Sequence, residues 1–326
     1  MVFRGHVTVF CRGRNLEKCN LPRNKAVLRI MRSVSVLVVI LGLLFFAVPL
    51  SLHWGQEAHD DLVIELVPAN SDGVPSAPGA AFGTASAAVI ANELDGFTGW
   101  RPNDLPIWGP GLFADNNANR QLGILQAMRE TVRVFKDHLT KVSSDDYDPN
   151  LVAADNLLRN DPEKWAFPSA EGRYKDAVAK LNAYVAGLQT DPPTSRPINA
   201  RNVELIRLVQ SWSDLLGAVH AELLSDTLSW FSVDNVFYHA TGVCHVIAHM
   251  IPAIQIEYGR EFKQRPILLE LLSETESSLR KCGLMKPVVV LDGGDVSLLA
   301  NQRRNLDAYV TESRQKLYSI REEIDK

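Results

Sequence analysis

Residues 236–258, VFYHATGVCHVIAHMIPAIQIEY, decide how this chain is built. No Asp, Glu, Lys or Arg occurs between Asn235 and Ile256. Two readings compete. A run this long can cross a bilayer, and Arg260, Lys263 and Arg265 follow it as a cytoplasmic flank would. Against a span stand Asn235, His239, Thr241, His245, His249, Pro252 and Gln255, because polar groups in lipid are costly unless paired. A helix that is apolar all round is also what the centre of a helical bundle requires. The buried helix is the expected outcome.

The same stretch holds the densest potential chemistry. His245 and His249 are four apart and share one helix face, with Glu257 two turns further on. Two imidazoles and a carboxylate are ligand types for zinc or iron, and His239 and His220 are further candidates. Yet the sequence has no His-Glu-x-x-His or Glu-x-x-His motif, and histidines in an apolar helix are commonly neutral core residues. A metal-dependent enzyme, with a divalent-metal site on His245, His249 and Glu257, is therefore the alternative, and core histidines the simpler expectation. No other cofactor is implied. Cys244 lies on this helix and Cys282 at the end of the next. They read either as a disulfide or as two buried thiols.

A second uncharged run, residues 33–52 (SVSVLVVILGLLFFAVPLSL), carries none of those polar interruptions. Twenty apolar residues at about 1.5 Å each match the ~30 Å hydrocarbon core of a bilayer. The run is longer than a signal-peptide core, and its exit reads Ala47-Val48-Pro49-Leu50-Ser51, with no small-x-small cleavage site. A retained transmembrane anchor is expected. Residues 1–32 hold eight Lys/Arg against one acid, Glu17, and no Lys or Arg follows the run until Arg101. The positive-inside rule then puts the N-terminus in the cytoplasm and the rest outside it, periplasmic in a Gram-negative cell. Cys11 and Cys19, in the tail, read as free thiols. Beyond residue 32 acids outnumber bases by 37 to 26, which excludes a nucleic-acid partner, since phosphate binding needs a basic face.

The domain plan reads as follows. Residues 1–32 are a basic cytoplasmic tail, 33–52 a transmembrane helix, 53–86 a linker and 87–326 an extracytoplasmic helical domain. The linker assignment rests on residues 68–86, PANSDGVPSAPGAAFGTAS, whose composition offers little apolar surface to bury. Next, residues 99–123, GWRPNDLPIWGPGLFADNNANRQLG, set Trp100 and Trp108 beside Asn117 and Arg120. Aromatics beside amides suit a sugar- or peptide-binding surface. The plainer expectation is an entry loop packed by its tryptophans, with Asp115 or Asn116 capping the next helix.

This run, continued by MRETVRVFKDHLTKVSSDDYDPNL and RNDPEKWAFPSAEGRY, resembles an uncharacterised bacterial family known only as domain of unknown function number 2333. The resemblance covers roughly residues 85–325. It implies one N-terminal membrane anchor, and no activity, substrate or catalytic residue.

From Asn119 onward the apolar period is helical. Leu122, Leu125, Met128, Val132, Phe135 and Leu139 form one stripe. Tyr174, Val178, Leu181, Val185 and Leu188 form a second, and Val203, Ile206, Val209, Trp212, Leu216, Val219 and Leu223 a third. A last helix is expected over 295–324. Asp148 before Pro149, Ser169 and Asn199 read as caps. Only residues 287–291 (PVVVL) look like a strand. Asp146-x-Asp148-x-Asn150 opens like a calcium loop, but Leu151 and Leu157 stand where Gly and Glu are needed. The expected fold is all-α: a helical bundle preceded by one transmembrane helix and a Pro/Gly/Ala linker. The expected function is that of an envelope scaffold or interaction module. Its partners are the bilayer, through 33–52, and an envelope protein or wall component.

Overall fold

A computed structural model describes residues 25–57, 62–66, 77–96, 98–104, 115–141, 147–199, 201–229, 232–287, 290–293 and 300–326. Trp108, Cys11 and Cys19 lie outside them. The helices are α1 (Lys25–Glu57), α2 (Ala80–Asp95), α3 (Asn116–Val134), α4 (Pro149–Leu158), α5 (Ala170–Leu188), α6 (Asn202–Leu223), α7 (Val233–Glu257), α8 (Gly259–Phe262), α9 (Pro266–Gly283) and α10 (Gln302–Asp325). A π-helical turn, Phe135–Leu139, ends α3. Among the described residues there is no strand, only an isolated antiparallel bridge between Asp292 and Asn301. The chain divides into two compact units, Met1–Val48 and Pro49–Lys326.

In the larger unit α7 is the central helix. It packs against α3, α9, α2 and α6, while α10 lies on α6 and α9, and α5 on α2 and α4. Its uncharged composition follows from that position: Val243, Val246, Ile247, Met250 and Ile251 are fully buried. Each such side chain contributes about 1.5–3 kcal/mol relative to exposure. The closest approach is to α3, where two glycines face each other's backbones. A β-carbon at Gly123 would collide with the His239 carbonyl, and one at Gly242 with the Arg120 carbonyl. That crossing sets the chemistry of Arg120 against that of α7.

The local signals hold at several helix starts. The Asp148 carboxylate accepts from the Asn150 and Leu151 N–H groups with Pro149 in the first turn, and Ser169 Oγ accepts from the Gly172 N–H. Two boundaries differ. α10 begins at Gln302, where Asn301 Oδ1 accepts from the Arg304 N–H and caps it; residues 294–299, where the sequence places its start, lie outside the described residues. α6 begins at Asn202; Asn199 instead donates its N–H to the Leu139 carbonyl.

The largest difference is α2. It starts at Ala80, so residues 80–86 are helix and not linker. Alanine is the best helix former, and the small side chains let α2 come close to α5; a β-carbon at Gly83 would meet Val185. Phe82, Phe135 and Tyr184 then stack edge-to-face at 4.7 and 5.2 Å and lock α2, the π turn and α5 together. Residues 62–66 also pack on the core, through Leu62, Ile64 and Leu66.

α1, described by itself, is a 33-residue helix. From Val36 to Leu41 every side chain is exposed, as are Leu43, Leu44 and Phe45. Its described side chains run unbroken only from Arg29 to Phe45, and over the described residues no helix is long and apolar enough to cross a membrane.

Candidate functional site

The most concentrated polar chemistry lies where α2, α3 and α7 meet. Arg120, 2% exposed, donates from Nη1 to both oxygens of Glu93, itself 1% exposed, at 2.9 Å each. Gln121 Nε2 donates to Glu93 Oε2 at 3.2 Å and to the Gly99 carbonyl at 2.8 Å, and its Oε1 accepts from the Arg101 N–H at 2.8 Å. The Glu93 charge is thus met by a guanidinium and an amide, the condition for keeping an ion inside a core. Arg120 Nη2 reaches His245 Nδ1 at 3.4 Å. A guanidinium only donates, so Nδ1 is the acceptor and the His245 proton sits on Nε2. Burial, then the Arg120 charge and the neighbouring His249, hold the His245 pKa well below the usual imidazole range, so the ring is neutral.

The His245 and His249 rings lie 4.2 Å apart between centroids. His249 bridges two backbone carbonyls, with Nδ1 2.8 Å from the His245 carbonyl and Nε2 3.1 Å from that of Leu62. A neutral ring has one N–H and satisfies one of them; a protonated ring satisfies both. Burial lowers the His249 pKa, while the two carbonyls pull it upward. With both nitrogens turned toward carbonyls, this ring ties residues 62–66 to α7 rather than offering a lone pair to a metal.

Glu257 is elsewhere. It lies eight residues beyond His249, about 12 Å along the helix. Its carboxylate accepts from the Gly79, Ala81 and Phe82 N–H groups at 2.6, 2.7 and 3.2 Å. Gly79, which precedes α2, is in the left-handed region (φ 111°) and has no side chain to cap with. Glu257 supplies the missing acceptor and a negative charge at the positive end of the helix dipole. Burial pushes its carboxyl upward, opposed by those N–H donors. The structure therefore brings His245 and His249 together and gives Glu257 a separate duty. Among the described residues no three His, Cys, Asp or Glu side chains are grouped to hold a metal. His220 pairs with Asp307 at 2.7 Å, and His239 lies 3.9 Å from Glu222.

The Trp/Asn segment packs inward. Trp100 is buried, stacks on Tyr174 at 4.9 Å and donates from Nε1 to the Pro162 carbonyl at 2.9 Å. Asn117 is buried and donates to Thr98 Oγ1 at 2.9 Å. With Arg120 in the ionic core, none of these three faces solvent. Among the described residues of the body, Trp165 and Phe167 are the exposed aromatics, in the loop before α5. Four side chains grip that loop or its edge: Trp100 at Pro162, Asn103 at Lys164, and Tyr174 and Arg129 at Asn160. An open groove of about 760 Å³ runs between α3, the π turn, α6 and the end of α10, with Arg133, His138, Arg207 and Arg321 on its walls. The sequence reading missed Glu93, which looked like one acid among many after the apolar run. Its pairing partner is 27 residues away, and no local pattern joins them.

Fold and site together define an all-helical bundle built round a buried Glu–Arg–His core. The chain belongs to the family described as "Uncharacterized protein conserved in bacteria (DUF2333)", which matches residues 26–228 and 221–326. The match begins at residue 26, well before the segment on which the resemblance was read, and so takes in the apolar run of α1. No curated protein and no solved structure matches the chain.

Proposed function

We propose that this protein is a single-pass membrane-anchored module, with its N-terminus in the cytoplasm, whose helical body binds an envelope component outside the cytoplasm. The observation that carries the reading is α1. Val36 to Leu41 are apolar and exposed on every face of the helix, and no acid or base interrupts residues 33–52. Water does not tolerate such a helix bare; hydrocarbon does. The eight Lys/Arg of residues 1–32 give it direction. For the body, binding rather than catalysis is favoured by where the polar side chains are spent. The Glu93, Arg120, His245 and Glu257 groups are engaged in holding helices together, while Trp165, Phe167 and the arginine-lined groove face outward.

The anchor is tested by flotation of carbonate-washed membranes on a density gradient. The full chain should rise with the lipid. Val39→Lys with Leu43→Lys adds about 5–7 kcal/mol to insertion on translocon scales and should leave the chain at the bottom. A wild-type chain that stays at the bottom would remove the anchor from this account.

A further inference from the structure

We infer that Cys244 and Cys282 are joined by a disulfide in the mature protein, stapling the central helix α7 to α9. In this structure both are unbonded thiols, both fully buried, on two helices that pack directly together. The two thiols are neighbours, and Cys282 Sγ reaches the Ser278 carbonyl at 3.7 Å. Neighbouring buried thiols on two packed helices are the arrangement from which a disulfide forms, provided the Cα atoms lie within about 7 Å. The contact itself, followed by burial, pushes the Cys244 thiol well above its usual range, so in the folded state it is a poor nucleophile. Oxidation therefore belongs to folding, before the helices close. The step is an exchange with a disulfide-bearing oxidant. One thiolate attacks the oxidant and releases a thiol. The second thiolate then attacks the mixed disulfide and releases the other. The protein loses two hydrogens and the oxidant gains them.

The inference rests on the proposed placement of the body outside the cytoplasm, where such oxidants act. The chain carries its own control. Its other two cysteines, Cys11 and Cys19, are in the basic tail and should remain thiols. The experiment isolates the full chain in detergent without reductant, traps thiols with N-ethylmaleimide in denaturant, and maps the peptides by mass. The expected result is maleimide on Cys11 and Cys19 and a crosslinked 244–282 peptide pair lighter by two hydrogens. Maleimide on Cys244 and Cys282 overturns the proposal. A second arm then assigns the cause: the reduced chain is unfolded and refolded with oxidised glutathione. A 244–282 crosslink there places the failure on the membrane topology, and thiols there place it on the geometry. Where the staple is present, reducing it should lower the melting temperature by several degrees, since it closes a long loop in the unfolded chain.

Discussion

α1 and α7 are both helices with an uncharged run of about twenty residues, and they differ in what surrounds that run. The described apolar side chains of α1 are exposed on all faces, while residues 237–254 of α7 are buried with few exceptions. The difference is written in what interrupts each run. In α7 three polar residues are tied to the fold: Thr241 Oγ1 donates to the Tyr238 carbonyl, His245 meets Arg120, and His249 meets Leu62. Gly242 exists to let α3 approach. In α1 Gly42 has nothing near it that a side chain would meet, and Ser35 bonds only within its own turn, to the Met31 carbonyl. An apolar helix inside a protein is shaped to its neighbours; one facing lipid need only be apolar.

The comparison can be broken most sharply at the α3–α7 crossing. Gly242→Ala or Gly123→Ala forces a methyl against a carbonyl and should cost about 3 kcal/mol or more, enough to lose cooperative unfolding in a marginal domain. Gly42→Ala in α1 should leave the body's thermal transition where it is. Next in size is the buried ion pair. Arg120→Met strands the Glu93 carboxylate and should cost about 3–5 kcal/mol in urea denaturation, whereas Glu93→Leu combined with Arg120→Met should recover most of that loss. If the double variant is as unstable as the single, the pair is not an isolated unit. Glu257→Ala removes the carboxylate that caps the α2 N-terminus and should cost about 1–3 kcal/mol, with early loss of amide protection at Ala81 and Phe82.

The last effect is the one on pH. Burial lowers the pKa of His239, His245 and His249 in the fold from the unfolded value of 6.5. Below that value the unfolded chain takes up protons that the fold excludes. Stability is therefore full above pH 6.5 and falls as pH drops below it, by up to about 1.4 kcal/mol per pH unit for each histidine. The carboxyls raised by burial, among them Asp115, Asp234 and Glu257, act in the opposite sense at lower pH. Denaturant midpoints measured across the range should show the decline, and His245→Gln should make it shallower. A flat profile would mean that the rings take up protons in place.

What was legible in the sequence tracks what is local. Asp148 with Pro149, Ser169 and the α6 stripe from Val209 to Leu223 act within a few residues, and the structure keeps them, while Val203, at the stripe's start, is exposed. The sequence predicts a short helix over 87–94, but its first two turns, residues 80–86, are illegible because the cap comes from Glu257, 178 residues from Gly79, and because Ala, Gly and Ser read alike in a loop and in a tightly packed helix. His245 and His249 were recognised as a pair, but their duty is fixed by Arg120 and by the Leu62 carbonyl, and neither is visible from α7 alone. Trp100 packs inward as the plainer reading of its loop expects, whereas Arg120 looks like surface because polar neighbours surround it in sequence; in space Glu93 is what permits its burial.

The contrast between the two apolar helices is tested most directly by locating the C-terminus. The full chain with a C-terminal epitope is expressed in a Gram-negative host, and spheroplasts are treated with protease. One span, through α1, predicts that the epitope is lost from spheroplasts and kept in intact cells. An epitope that survives in spheroplasts and disappears only on lysis would put the C-terminus in the cytoplasm, and would contradict the account of α7 as the core of an external domain.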